Sequence, residues 1–283
     1  MTTLRGITAR LRHGTTPLAA AAALVLAATS ASAQDISQQW DGSPYIGLEL
    51  ARPSFSDDGF TTFSGLGYLS SMFGSGRTRF LVELPFARGS TEGEFGTSSS
   101  LIGSPFVGIA RISETEGNGA SVSFGVRIPV PESFEFGDDD FAVAIGALGD
   151  PDRMEAFYTE TVTASGAFRF DRTVNENVLL RAQVDADGLF FLDTSGDTFE
   201  AFLGWGGLVR WDGDRAFASG QVTGRVLLTE DEDDRVFHHL AARAGWTFGS
   251  AQPFVGVRVP IHGFAKDVVD WTLLLGVQVR LGG

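Results

Sequence analysis

Apolar and polar residues alternate with a period of two through most of this chain. In residues 178–187 the apolar even positions are Val178, Leu180, Ala182, Val184 and Ala186, and the polar odd positions are Arg181, Gln183, Asp185 and Asp187. Because a β-strand points successive side chains to opposite faces, this segment presents one apolar face and one polar face. Charged groups are costly in hydrocarbon, so the polar face must point away from it. The pattern therefore predicts strands that separate an apolar surrounding from a polar interior.

Eleven further segments show the same alternation over lengths suited to a membrane-crossing strand, which needs about 9 to 11 residues. They are Tyr45–Arg52, Phe63–Phe73, Thr78–Phe86, Leu101–Ile112, Ser121–Val130, Val162–Phe170, Phe199–Trp211, Ala216–Leu228, Val236–Phe248, Val255–Ile261 and Val269–Leu281. No run of about eighteen apolar residues follows residue 33, so helical membrane spans are excluded and a closed barrel is the remaining spanning structure. The sequence predicts an all-β fold, a transmembrane antiparallel up-and-down β-barrel of about twelve strands.

The first residues have the pattern of an export signal. Arg5, Arg10 and Arg12 precede an apolar stretch from Pro17 to Ala28, and a small-residue site follows at Ala31–Ala33. The apolar stretch is too short to cross a bilayer. The expected organisation is a cleaved signal at 1–33, a short periplasmic segment at 34–44 and the barrel at 45–283.

Loop lengths and aromatic residues predict the orientation of the barrel. Outer-membrane barrels have short periplasmic turns and longer external loops, and the two longest connections, Arg88–Ser100 and Pro131–Phe157, fall on the same side. Aromatic residues gather at the two interfaces, where Trp271 would mark the outer rim and Trp211 and Trp246 the inner one. We therefore expect the first strand to rise from the periplasm.

Composition excludes several classes of function. The chain has 35 acidic and 21 basic residues, a net charge of -14, and no cysteine. Such a chain is a poor nucleic-acid binder, and it has no disulfide, thiolate metal site or cysteine nucleophile. His238 and His239 are adjacent in a predicted strand and point to opposite faces, so they do not form one site. We predict no enzyme, no catalytic or metal-binding residue and no cofactor.

Charged residues are frequent on the face that should line the lumen. The predicted lumen-lining residues are Arg79, Glu83, Arg127, Arg181, Asp185, Arg225, Arg243 and Arg258. Paired across strands, they would brace a narrow barrel; left in water, the arginines would line a path that favours anions. The choice depends on the cross-strand register, and both interpretations stay open here.

The connection from Pro131 to Phe157 is the best candidate for a functional loop. After three aspartates, Phe141–Gly149 is apolar and ends in glycine, as a short helix would. Phe141, Ile145 and Leu148 would share one face of that helix and are the predicted mouth-loop residues. Pro151 can begin a further helical turn. Such a loop would fold into the mouth or against the rim, either to contact a ligand or merely to close the barrel top.

The signal, the alternating segments and the loop lengths together resemble outer-membrane β-barrel proteins over the whole mature chain. Three motifs, Glu83–Phe86, Ile102–Gly108 and Phe124–Pro129, also resemble the outer-membrane transporter family associated with the meta-pathway of phenol degradation. That resemblance implies uptake of small hydrophobic or aromatic compounds and carries no site residues.

Three functional hypotheses follow. The first is a monomeric outer-membrane channel or facilitator for small solutes, hydrophobic ones included, restricted by the Pro131–Phe157 loop. The alternative is a non-transporting structural or surface protein with an ion-paired, plugged lumen, and a lipid-modifying enzyme is less favoured. The expected partners are outer-membrane lipids, the barrel-insertion machinery and a small-molecule solute, with no nucleic acid.

Overall fold

A computed structural model describes residues 43–56, 63–90, 98–115, 118–130, 135–137, 141–192, 199–229 and 236–281. The predicted signal at 1–33 and nearly all of the predicted periplasmic segment lie outside the described residues.

Antiparallel β-strands make up almost all of the described chain. They are β1 (Tyr45–Phe55), β2 (Phe63–Phe73), β3 (Thr78–Ser90), β4 (Ser98–Ile102), β5 (Phe106–Thr115), β6 (Asn118–Arg127), β7 (Glu135–Gly137), β8 (Thr161–Asn175), β9 (Val178–Phe191), β10 (Phe199–Asp212), β11 (Ala216–Leu227), β12 (Val236–Trp246), β13 (Ala251–His262) and β14 (Val269–Arg280). The helices are α1 (Phe141–Gly149), a 3-10 helix (Pro151–Ala156) and α2 (Phe264–Val268). None of these helices is long and apolar enough to cross a membrane.

The sheet closes on itself because β1 pairs with β2 on one side and with β14 on the other. Strands β4 and β5 pair with the upper and lower parts of β3 and share one position in the wall. Among the described strands, the three-residue β7 pairs only with β4, so it adds no position to the wall. Within the described residues the wall therefore has twelve strand positions, and the predicted closed antiparallel barrel of about twelve strands is confirmed.

The two faces of the wall differ as the alternation predicts. Val184 on β9 points outward with 50% of its surface exposed, whereas the neighbouring Gln183 points inward with 7% exposed. The same contrast recurs around the barrel, where large apolar side chains cover the exterior. A closed sheet with an apolar exterior satisfies its backbone hydrogen bonds internally and can lie in hydrocarbon.

The predicted continuous strand Leu101–Ile112 is interrupted at residues 103–105. Gly103 donates its N–H to the carbonyl of Pro85 at 3.0 Å, and Pro105 has no N–H to donate to a ladder. Ser104 instead donates its N–H inward, to the carbonyl oxygen of Ala156 at 2.7 Å. A side chain at Gly103 would collide with that same carbonyl. The break lets a piece of chain inside the barrel hydrogen-bond to the wall.

Candidate functional site in the lumen

The candidate site is built around residues 141–157, here called the lumenal segment, which folds inside the barrel. Within it most of the described side chains of α1 are buried: Ile145 is 1% exposed and Leu148 4%, Val143 and Ala144 are also buried, and Ala147 is partly buried. The helix packs in one apolar cluster with wall residues such as Leu66 and Leu274. The predicted helix is confirmed, and two of the three predicted mouth-loop residues, Ile145 and Leu148, lie in this cluster. The side chain of Phe141 lies outside the described residues.

After α1 the chain turns through four charged residues, Asp150, Asp152, Arg153 and Glu155, here called the charge hub. Arg153 lies at the centre of the hub. Its guanidinium reaches Glu49 at 2.6 Å, Asp150 at 2.7 Å and Glu83 at 3.5 Å. One buried cation of the lumenal segment thus neutralises carboxylates from β1 and β3.

An aromatic ring supports this cation from one side. The guanidinium carbon of Arg153 lies 3.4 Å from the ring centroid of Tyr68 on β2. A cation over a ring face is attracted by the ring quadrupole, and more strongly where water is excluded.

Glu155 connects the hub to the opposite wall. Its carboxylate pairs with Arg225 at 2.7 Å and lies 3.6 Å from Arg127 Nε. Arg225 also pairs with Asp187 at 2.7 Å, and Arg127 pairs with Glu83 at 2.8 Å. Burying such charges is costly unless each has a partner, and these pairs supply partners from β3, β6, β9 and β11.

The two aspartates of the hub complete the ring of contacts. Asp150 accepts hydrogen bonds from Arg258 at 2.5 Å and from the Tyr68 hydroxyl at 3.0 Å. Asp152 accepts one from Thr223 at 2.9 Å and lies 3.5 Å from His239 Nδ1. The hub therefore contacts strands all around the barrel, and together with α1 it crosses the lumen.

Neighbouring side chains lower the pKa of both hub aspartates. Burial raises the pKa of Asp150, but Arg153 and Arg258 outweigh it and hold the pKa below its usual value. Burial also raises the pKa of Asp152, and His239 and Arg258 lower it further than burial raises it.

The structure brings several of the sequence-predicted lumenal residues together and separates the others. Those that meet at or beside the hub are Glu83, Arg127, Arg225, Arg258 and Arg243, the last pairing with Glu49 at 3.1 Å. The others lie elsewhere: Arg181 pairs with Asp171 at 2.7 Å, Asp185 accepts from Gln183 at 3.3 Å, and Arg79 donates to the turn carbonyl of Gly76 at 2.6 Å.

Sequence reasoning missed the four hub residues as lumenal groups. A signal was present, because α1 has no polar face and a helix that is apolar all round must be buried. The charged residues that directly follow such a helix are then carried inside with it.

Replacing Tyr68 with phenylalanine tests the polar contacts of the hub. The change removes the hydroxyl that donates to Asp150 and keeps the ring beneath Arg153. A hydrogen bond to a charged group contributes about 1.5 to 3 kcal/mol, so we expect a loss of this size in the free energy of unfolding, measured by urea titration in lipid vesicles. The matched control is Tyr158→Phe, which removes a tyrosine hydroxyl that donates to the neutral Met154 sulfur at 3.7 Å. Equal losses in the two variants would contradict the assignment.

The closed wall, the apolar exterior and the charged interior define an outer-membrane β-barrel protein, in contact with membrane lipid. No family model matches the chain, and no curated protein does.

Experimentally determined structures share the fold. A NanC porin superposes with a TM-score of 0.55 at 9% identity, covering 83% of this chain and 100% of the porin. The COG4313 outer membrane channel from Pseudomonas putida F1 gives 0.57 at 12% identity, covering 84% of this chain and 96% of the channel. The transport unit of the autotransporter AIDA-I from Escherichia coli gives 0.50 at 10% identity, covering 88% and 93%. At these identities the likeness is one of fold.

Proposed function

We propose that the protein is an outer-membrane channel for small solutes and that the lumenal segment is its gate. The observation that carries the proposal is that the lumenal segment, and not only the side chains of the wall, fills the lumen. Barrels of about 8 strands are filled by their own side chains, while those of about 16 to 18 leave an aqueous channel. A twelve-strand wall is intermediate, so withdrawal of the segment would leave a path.

The chemistry of the closure supports a segment that can move. A permanent plug is most simply apolar, because buried ion pairs often contribute no more stability than well-packed apolar residues. The hub instead closes the middle of the lumen with carboxylates and arginines. Water that enters the lumen can solvate these groups, and ionisable groups at membrane depth commonly mark solute pathways.

Two observations favour small hydrophobic or aromatic solutes. The three motifs that resemble the phenol-pathway transporters meet in the fold, because Arg127 pairs with Glu83 and donates to the carbonyl of Ser104 at 3.0 Å. Toward the periplasm, an inward-facing apolar cluster lines β1, β2, β3 and β5, formed by Tyr45, Met72, Leu81, Phe106 and Ala110.

We also propose that the barrel is a monomer inserted by the barrel-insertion machinery.

A disulfide between the hub and the wall tests whether the segment moves. The side-chain oxygens of Asp152 and Thr223 lie 2.9 Å apart, and the chain has no cysteine of its own. In Asp152→Cys/Thr223→Cys, we expect low planar-bilayer conductance when oxidised and severalfold higher conductance after reduction. Liposome swelling with neutral aromatic and sugar solutes then compares their permeation.

The Thr223→Cys single variant is the control, because it forms no disulfide within the chain. Its conductance should not change when the reductant is added. The proposal fails if the double variant conducts equally in both redox states. Disulfide formation is verified separately by the mobility of the unfolded protein on a gel.

The second candidate is a structural barrel that never opens. It is favoured by the shielding of inward side chains away from the hub, such as Arg181 and Arg210, which are both buried. A variant in which a short Gly-Ser linker replaces residues 141–155 separates the two. A sealed wall would stay non-conducting without the segment, whereas a gated channel would conduct continuously.

A further inference from the structure

The outward face of the wall is almost free of charge. Among the outward-facing strand positions that the structure describes, the arginine side chains at the external end are Arg52 on β1 and Arg88 on β3. Arg111 and Arg172 also point outward, at the periplasmic ends of β5 and β8. Since a charge on the lipid face is tolerated only near the interfaces, these positions lie at the edges of the apolar belt.

Strand register places Arg52 and Arg88 in one row. Gly65 on β2 pairs directly with Arg88, and the pair Ala51–Leu66 places Arg52 beside Gly65 at the next position. Adjacent strands are about 4.8 Å apart, so the two arginine Cα atoms are separated by about 10 Å. Gly65 has no side chain between them, and both guanidinium groups can reach one anion above it.

One aromatic side chain lies directly beneath this row, and a second lies above it on β14. Phe86, two residues below Arg88, lies flat against Gly67, where the ring leaves no room for a Cβ atom. Trp271 on β14 is exposed beyond Arg52. Strand β14 also carries the carboxylate of Asp270, which accepts a hydrogen bond from the Ser56 hydroxyl at 2.9 Å. The patch thus combines two cations with an apolar floor.

We propose that Arg52 and Arg88 bind a phosphate of a phosphorylated glycolipid of the outer leaflet. Arginine presents planar donors that match phosphate oxygens, and the long side chains reach up from the apolar belt to the headgroup level. Acyl chains of the same lipid would pack on Phe86 and Leu50, which both face outward. The apolar floor favours a lipid over a free anion, and the site does not depend on whether the lumen conducts.

The test is binding of a fluorescent diphosphoryl lipid A to the detergent-solubilised protein. Loss of two charge-assisted contacts in Arg52→Gln/Arg88→Gln should weaken binding by about tenfold or more. Dephosphorylated lipid A should bind the unchanged protein with a similar loss. The pair Arg111→Gln/Arg172→Gln is the matched control, since it removes two outward arginines from the other end and should leave the affinity unchanged.

Three outcomes would overturn the proposal. They are an unchanged affinity in the Arg52→Gln/Arg88→Gln variant, an equal loss in the control pair, and displacement of the lipid by inorganic phosphate at equal concentration. Heat-induced mobility shifts on gels verify that every variant is folded, so weakened binding is not mistaken for unfolding.

Discussion

Replacing Arg153 with methionine is expected to lower the free energy of unfolding by about 3 to 5 kcal/mol. The change keeps much of the side-chain volume but removes the cation shared by Glu49, Glu83 and Asp150. Glu83 keeps Arg127, Asp150 keeps Arg258 and Glu49 keeps Arg243 at 3.1 Å, but each of these carboxylates loses one of its cationic partners. The barrel would therefore bury more negative charge than it neutralises, and that imbalance is the physical cause of the loss.

The measurement is urea unfolding in lipid vesicles, followed by tryptophan fluorescence, together with single-channel recording. Arg215→Met is the control, because Arg215 is exposed in the turn between β10 and β11. If the lumenal segment is the gate, the Arg153 variant should also open more often than the unchanged protein. A loss below about 1 kcal/mol, the usual size for exposed ion pairs, would mean that the hub does not hold the segment.

Val184→Arg is expected to cost about 2 to 4 kcal/mol, because it places a charge at mid-depth on the lipid face. Val184 lies in the middle of β9 and points outward between Phe168 and Trp205 on the neighbouring strands. The matched control is Val174→Arg, at the exposed end of β8 that the sequence predicts to face the periplasm, where the same change should cost about 0 to 1 kcal/mol.

Folding of the two variants into vesicles across a urea series gives both values in one assay. The depth dependence is the informative quantity, since both variants add the same side chain to the same face. Equal costs would show that the outward face does not lie in hydrocarbon.

Strand positions can be predicted from this sequence because alternation is a local property. The prediction Phe63–Phe73 coincides with β2, and the other predicted segments differ from the strands mainly at their ends, where turns are shorter than expected. Each side chain's face depends only on its position along its own strand, so no knowledge of the partner strand is needed.

The features that the sequence does not predict all depend on distant residues. The break at Gly103–Pro105 is set by Ala156, about fifty positions further along the chain. Likewise, the sequence of Asp150–Glu155 shows four charged residues but does not predict which strands their side chains contact. Arg153 meets Glu49 because the loop folds inward, and only the closed barrel determines that distance.

The hydrogen bonds of Ser104 set how the lumenal segment can be displaced. Ser104 donates its N–H to the carbonyl of Ala156, and its hydroxyl donates to the carbonyl of Tyr158 at 3.1 Å. These residues therefore belong to the bonding pattern of the wall itself, whereas α1 is held mainly by apolar contacts. If the lumenal segment moves as proposed, a displacement that preserves these bonds leaves Ala156 and Tyr158 attached to the wall and moves α1 relative to them.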